Sequence, residues 1–307
     1  MSPVISVALP VFGVIAAGMI AGRLKVATAE DAAALNRLVF RFAMPAALFG
    51  LLSGTNGLKR EDGLIALAYG VPAIAVMILA YAVARTLLRR DPPAAGTLAL
   101  ASVLGNAVFL GLPIALGVEG WARPFADLML AEGVLVVGLG AALMSAPADG
   151  RRFDAAAMMI RSLKNPLVVA ALAGFALASV NVALPGPLRA FCDILGRAAG
   201  PAALFSLGLF FATRGFAVAR HAREVATIAL FKMALLPVLS LGLLGVLGVD
   251  DPHYRGALAL FTVVPTAVGA FIMASQHGRL VDETAAAVAA TTLLSIVTIS
   301  AVLAVFA

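Results

Sequence analysis

The sequence predicts an all-α polytopic membrane protein, built from ten transmembrane helices in two inverted five-helix repeats, with helices four and nine broken. Three observations carry this expectation. First, 62% of the 307 residues are hydrophobic, only 12% are charged, and the mean hydropathy is +1.04. A soluble domain averages about 45–50% apolar and about 25% charged residues, so this chain cannot clothe a globule in water-compatible surface. Second, the apolar residues gather in long runs, and a membrane-spanning helix takes about 20 of them. Third, the most polar long connector, about Ala146 to Lys164, divides these runs into five and five. An odd number in each half forces the halves into opposite orientations, as in many secondary transporters.

Taken in order, the spans fall near 3–22, 34–52, 63–88, 95–117, 125–145, 165–183, 190–212, 225–248, 255–276 and 284–306. The runs lack period-two alternation and are rich in alanine and leucine, which excludes β-barrel strands. The stretch Met1 to Pro10 has no basic n-region, so the first run reads as a retained span rather than a cleaved signal peptide. The domain division is therefore one membrane domain over 1–307, with a first repeat at 1–147, a cytoplasmic loop at 148–164 and a second repeat at 165–307.

Basic residues orient the spans. Thirteen lie in one set of loops: Arg23 and Lys25, then Arg85, Arg89 and Arg90, then Arg151, Arg152, Arg161 and Lys164, then Arg214, Arg220 and Arg223, and finally Arg279. The opposite loops hold five: Lys59, Arg60, Arg123, Arg189 and Arg255. Lysine and arginine collect on the cytoplasmic side, so the central loop is expected in the cytoplasm and both termini outside, in a cell inner membrane. The net charge of +6 follows from this topology, and its scatter along the chain gives no reason to invoke a nucleic-acid partner. The single cysteine, Cys192, excludes an intrachain disulfide.

The halves echo one another. Pro45-Ala46-Ala47-Leu48-Phe49 in span two matches Pro201-Ala202-Ala203-Leu204-Phe205 in span seven, and Pro72 and Pro237 sit at similar depths in spans three and eight. Span four runs from Gly105-Asn106 to Gly111-Leu112-Pro113, and span nine contains Thr262-Val263-Val264-Pro265-Thr266-Ala267-Val268-Gly269. Proline removes a donor and clashes with the preceding turn, while glycine tolerates unwound backbone. Breaks survive at membrane depth only where they face protein or a wet cavity. Paired breaks therefore point to a transport site whose half-helix N-termini suit an anion.

Polar residues at depth supply the candidate site. Asn106 beside a break has an amide able both to donate and to accept, and it ranks first. Ser102, Thr262, Thr266 and Gln276 could add hydrogen bonds. Lys232 and Glu132 sit near mid-depth in spans eight and five, as a coupling pair or a structural ion pair. Asp127, near the outer end of span five, is expected to be solvated, and Trp121 reads as an interface anchor in an outer loop. Gly18 with Gly22 and Gly196 with Gly200 are small-residue pairs suited to close helix approach. The histidines, His221, His253 and His277, show no ligand spacing, and no nucleotide, nucleophile-elbow or metalloprotease motif occurs. No metal or cofactor is expected.

At these residues the chain resembles the auxin efflux carrier family, as a bacterial member related to the plant PIN-type carriers. The resemblance runs over nearly the whole chain. It rests on Leu35-Asn36-Arg37-Leu38-Val39-Phe40 leading to Pro45, Gly105-Asn106 through Pro113, Asn165-Pro166-Leu167, Leu204-Phe205-Ser206-Leu207-Gly208, Lys232 through Pro237, and Pro265-Thr266-Ala267. It implies a fold similar to the bile acid sodium symporters. Spans one, two, six and seven would form a scaffold that dimerises. The other six would move as an elevator, with spans four and nine crossing at the substrate. It further implies that Asn106 and the backbone around Pro113 and Pro265 would meet a carboxylate; Phe109, Gly111 and Thr266 complete the expected substrate-binding set. Gly269 replaces a residue that is often polar in relatives. The expected function is secondary transport of small organic anions such as carboxylates, driven outward by membrane potential or a proton gradient. The rival is a membrane-embedded sensor or enzyme that uses the same fold as a binding module.

Overall fold

The computed structural model describes residues 9–53, 59–144, 166–180, 182–214 and 218–307. The expected cytoplasmic loop, with Arg151, Arg152, Arg161 and Lys164, lies outside the described residues, as do Met1 to Ala8 and Asn165. The described chain is helical: α1 Leu9–Arg23, α2 Ala29–Leu52, α3 Arg60–Thr86, α4 Pro92–Ala101, α5 Ala107–Leu116, α6 Ala122–Met144, α7 Pro166–Ser179, α8 Gly186–Ala212, α9 Val218–Val246, α10 Pro252–Val263, α11 Val268–His277 and α12 Val281–Phe306. Six of these (α2, α3, α6, α8, α9 and α12) are long and apolar enough to cross a membrane. The α1, α5 and α7 helices are shorter and apolar.

Local chemistry sets where helices begin. The Thr28 hydroxyl accepts from the Asp31 N–H at 3.3 Å, and the Asp31 carboxylate accepts from the Thr28 N–H at 2.8 Å, a reciprocal cap on α2. The two broken helices open alike. Asp91 accepts from the Ala94 N–H at 3.0 Å ahead of Pro92, and Asp251 accepts from the His253 N–H at 2.8 Å ahead of Pro252. Proline at the first helical position loses nothing, because its N–H would have no intrahelical acceptor. Inside the helices, π turns at Val39–Ala43 and Phe231–Leu235 directly precede Pro45 and Pro237. The wider turn relieves the clash a proline makes with the carbonyl behind it.

The helices pack as two groups. In one, α1 lies along α8, and both α7 and α8 pack on α2. The α1–α8 approach is backbone to backbone: a Cβ on Gly18 would overlap the Phe205 carbonyl, and one on Gly208 would overlap the Ile15 carbonyl. Gly196 faces Ala47, and a Cβ on Gly200 would lie 3.2 Å from Pro113. In the other group, α3 packs on α4, α6 and α9, while α12 packs on α9, α10 and α11. One end of this group carries an ionic cluster. Arg90 lies 2.5 Å from Glu224 and 3.6 Å from Glu283, His221 lies 3.7 Å from Glu283, and Arg279 lies 3.5 Å from Asp91. It ties the α3–α4 turn to the first turns of α9 and α12.

Two surface assignments are corrected. Trp121 is 1% exposed, with its ring over Gly256 of α10, so it packs helix against helix instead of anchoring at an interface. Asp127 is 4% exposed, because α3 and α10 cover the start of α6.

The α1–α8 contact yields a measurable expectation. Gly208→Val overpacks it and should cost about 1–3 kcal/mol, lowering the melting temperature in detergent. Gly242→Ala, which meets nothing within 4 Å, should leave it nearly unchanged.

Candidate functional site

Residues 102–106 separate α4 from α5, and residues 264–267 separate α10 from α11. The two unwound stretches lie antiparallel and bridge at Gly105 and Thr266. The Asn106 N–H donates to the Pro265 carbonyl at 2.7 Å, and the Ala267 N–H donates to the Leu104 carbonyl at 3.0 Å. A freed backbone group away from water costs about as much as a lost hydrogen bond, and here each break supplies partners for the other.

Side chains satisfy the remaining groups. The Glu132 Oε1 accepts from the Gly105 N–H at 2.9 Å and from the Tyr69 hydroxyl at 2.8 Å. The Thr291 hydroxyl accepts from the Thr266 N–H at 3.1 Å, and the Thr266 hydroxyl donates to the Ala101 carbonyl at 3.1 Å. Fully buried Lys232 donates to the Thr262 carbonyl at 2.7 Å, and Thr298 donates to that of Val263 at 3.4 Å. Lys232 and Glu132 both approach Gly105: a Cβ there would lie 3.4 Å from the Lys232 Nζ and 3.5 Å from the Glu132 Oε1. The tighter neighbour is Val264, whose Cγ2 would lie 2.9 Å from that Cβ.

Beside the crossover lies a cavity of about 360 Å³, mostly apolar, whose polar lining comes from Asn106, Glu132 and Gln276. Its walls come from both helix groups. Phe40 of α2 meets Phe109 of α5 edge to face at 5.3 Å, and Leu167 of α7 lies on the same wall. Asn106 is 1% exposed, and neither its side-chain oxygen nor its nitrogen has a hydrogen-bond partner among the described residues. Burying such an amide without partners costs at least about 1–3 kcal/mol, so an occupant of the cavity that pairs with it would recover that penalty.

The structure distributes the sequence-predicted residues unevenly. Asn106, Phe109, Gly269 and Glu132 line the cavity. Ser102, Thr262 and Thr266 instead donate to backbone carbonyls, Ser102 to Leu98 at 2.8 Å and Thr262 to Leu258 at 2.9 Å. Serine and threonine in apolar helices commonly bond this way. Gly111 lies under the Phe125 ring, Pro113 packs at Gly200, and Pro265 contributes its carbonyl to the crossover. Lys232 reaches the break from behind. Sequence reasoning missed Phe40, Tyr69 and Thr291, which are ordinary apolar-helix residues until the fold sets them against the crossover.

Residues 3–147 and 152–303 match a protein family described as Membrane transport protein. The chain belongs to that family. It is the auxin efflux carrier family that the motifs resemble, so this protein is a membrane transporter and not an enzyme. Among curated relatives, a Rhizobium meliloti (strain 1021) protein named "Putative malonate transporter" is 29% identical over 311 residues, covering 99% of this chain and 96% of the relative. The "Uncharacterized transporter YfdV" of Escherichia coli (strain K12) is 24% identical over 300 residues, covering 94% and 93%.

The accounting at the breaks can be checked. Thr291→Val leaves the buried Thr266 N–H without an acceptor and should destabilise the protein by about 1–3 kcal/mol. Thr292→Val, whose hydroxyl bonds only Val288 of its own helix at 2.7 Å, should cost less in the same thermal melt.

Proposed function

We propose that this membrane transporter is an elevator-type carrier of small organic anions, with dicarboxylates such as malonate as first candidates. The observation that carries the reading is the unpartnered Asn106 carboxamide, held between the N-termini of α5 and α11 on a cavity that both helix groups wall. Its N–H₂ would donate to a ligand carboxylate. The free N–H groups and partial positive charge of the two half-helix starts would add to it. Apolar walls around a few placed polar groups are the usual form of a small-molecule site. The name of the Rhizobium meliloti relative supports a carboxylate.

The finer architecture belongs to the same proposal. It comprises ten spans in two inverted repeats of five, meeting at a cytoplasmic loop, with both termini outside an inner membrane. The matched openings of α4 and α10 and the paired breaks support the repeat. The group of α1, α2, α7 and α8 would be the scaffold, dimerising with a second copy. The group holding both breaks would carry the anion past it. A potential of about 100 mV, negative inside, favours exit of each negative charge by about 2.3 kcal/mol, so uncoupled transport would run outward.

Reconstitution in liposomes tests the reading. Labelled malonate should cross the bilayer and accumulate according to an imposed potential, and absence of flux for malonate and other small carboxylates would sink the proposal. Asn106→Ala removes a hydrogen bond to a charged group, about 1.5–3 kcal/mol, so the KM should rise about tenfold or more, while the unliganded protein melts no lower than wild type.

A further inference from the structure

Two further cavities lie where the helix groups meet, and they are counterparts. One, of about 210 Å³, is walled chiefly by the start of α2, the second half of α8 and the start of α11. The other, of about 300 Å³, is walled by the start of α8, the second half of α2 and the end of α5. The matched openings Asp91-Pro92 and Asp251-Pro252 set a register between the halves of the chain. In that register Ala29, Asn36, Ser206 and Ile272 of the first cavity answer to Arg189, Gly196, Ala46 and Leu112 of the second. Their contents differ. The Ser206 hydroxyl donates to the Asn36 Oδ1 at 2.6 Å, which links α8 to α2 within the first cavity. In the second, alanine and glycine leave that place open, and Arg189 and Arg197 enter the lining.

Both arginines are exposed, and among the described residues neither guanidinium forms an ion pair or a hydrogen bond. Asp193 lines the same cleft one turn from each, yet it pairs with neither. The cleft therefore holds two cations against one anion. Depth makes this costly. The 27 residues of α8 extend about 40 Å, against about 30 Å of hydrocarbon. Even with the whole excess placed at the Gly186 end, Arg197 stands about 6 Å inside the apolar slab. Ionisable groups at membrane depth are rare and commonly mark a substrate or ion path. A guanidinium presents its N–H donors in a planar fork that fits both oxygens of a carboxylate.

We propose that this cleft is a second anion site, in which Arg189 and Arg197 bind a small carboxylate apart from Asn106. The choice of ligand rests on the carrier reading above. Position supports the site. Leu112 and Leu116 of α5 belong to the group that holds the breaks, whereas α2 and α8 belong to the other, so an occupant touches both groups. Leu48 lines the Asn106 cavity, and its neighbours on α2, Ala47 and Leu51, line the cleft. Cargo that leaves Asn106 between the groups towards the end of α5 meets the two guanidiniums. Neutral donors release it there and cations receive it, and the cations raise the local concentration of anions. The counterpart cavity has no lysine or arginine among its described lining residues, so the two ends treat an anion differently. In the orientation proposed above, the cationic end faces outward.

Equilibrium dialysis of labelled malonate against the purified full chain in detergent tests the site without transport. Wild type should bind two malonates per chain. Either Arg189→Gln or Arg197→Gln should weaken one of these sites about tenfold or more. The double variant should keep only the other, which Asn106→Ala removes instead. Both arginines are exposed, so a thermal melt should show the double variant folded as wild type is. If the double variant binds malonate as wild type does, the cleft site is overturned. If wild type binds a single malonate that the double variant loses and Asn106→Ala keeps, the cleft stands and the Asn106 reading fails. No malonate bound overturns both. Dihexanoyl phosphatidylglycerol is the second probe. If its binding needs both arginines while that of malonate needs neither, the cleft holds a lipid phosphate and the carboxylate site is overturned.

Discussion

The constraint on which the rest of this structure depends is the supply of hydrogen-bond partners to two helix breaks. Four N–H groups and several carbonyls leave their helical ladders between Ala101 and Ala267, in a region of apolar surroundings. The short antiparallel bridge satisfies two of the donors at once, which neither break can do alone. The others draw on Glu132, Thr291, Thr266, Lys232 and Thr298. This accounts for charged groups in an apolar helix bundle without recourse to transport: Glu132 and Lys232 complete the backbone at Gly105 and Thr262. It also binds α6, α9 and α12 to the crossover, because each provides at least one of those side chains, and α3 joins through Tyr69, which donates to Glu132. The group that holds the breaks is therefore cohesive at its centre, and the Arg90 cluster ties its helix ends together.

The other group is built on a different economy. Its contacts are glycine-mediated backbone approaches, as at Gly18 and Gly208, with few buried polar links. Where the groups meet, the described contacts are largely apolar, Phe40 against Phe109 and Leu167 along the cavity. Apolar surfaces have no directional bonds to break when they slide, whereas the crossover has many. A proposed elevator needs this contrast: a rigid carrier, a rigid support, and a seam between them without obligatory hydrogen bonds.

Much of this was legible in the residues. Proline and glycine act on the backbone wherever they occur, so Gly105, Pro113 and Pro265 announce the breaks, and Asn106 beside one is conspicuous among alanine and leucine. The family match agrees with the resemblance those motifs carry. What stayed hidden depends on neighbours from distant sequence. Counting along one helix puts Asp127 near an end and therefore in water, but burial is decided by α3 and α10, which cover it. Trp121 was misread for the same reason. Hydroxyls such as Ser102 and Thr266 have equal capacity for ligand and backbone, and only the fold shows the backbone has taken them. Tyr69 and Thr291 carry no signal in the chain, since their role is defined by what lies opposite.

The cavity's electrostatics bear on how a carrier could release what it binds. Its polar groups at the Asn106 end are neutral: a carboxamide and helix N-termini, with no arginine or lysine among the described residues that line it. Hydrogen bonds from neutral donors can hold a carboxylate specifically, yet they are weaker than charge-assisted pairs. Lys232, the nearby cation, is turned to the Thr262 carbonyl behind the break, so its charge reaches the cavity without offering a direct salt bridge. Glu132 on the lining already accepts two donors, which disperses its negative charge away from an incoming anion. Such a site suits an anion that must be bound on one side and let go on the other.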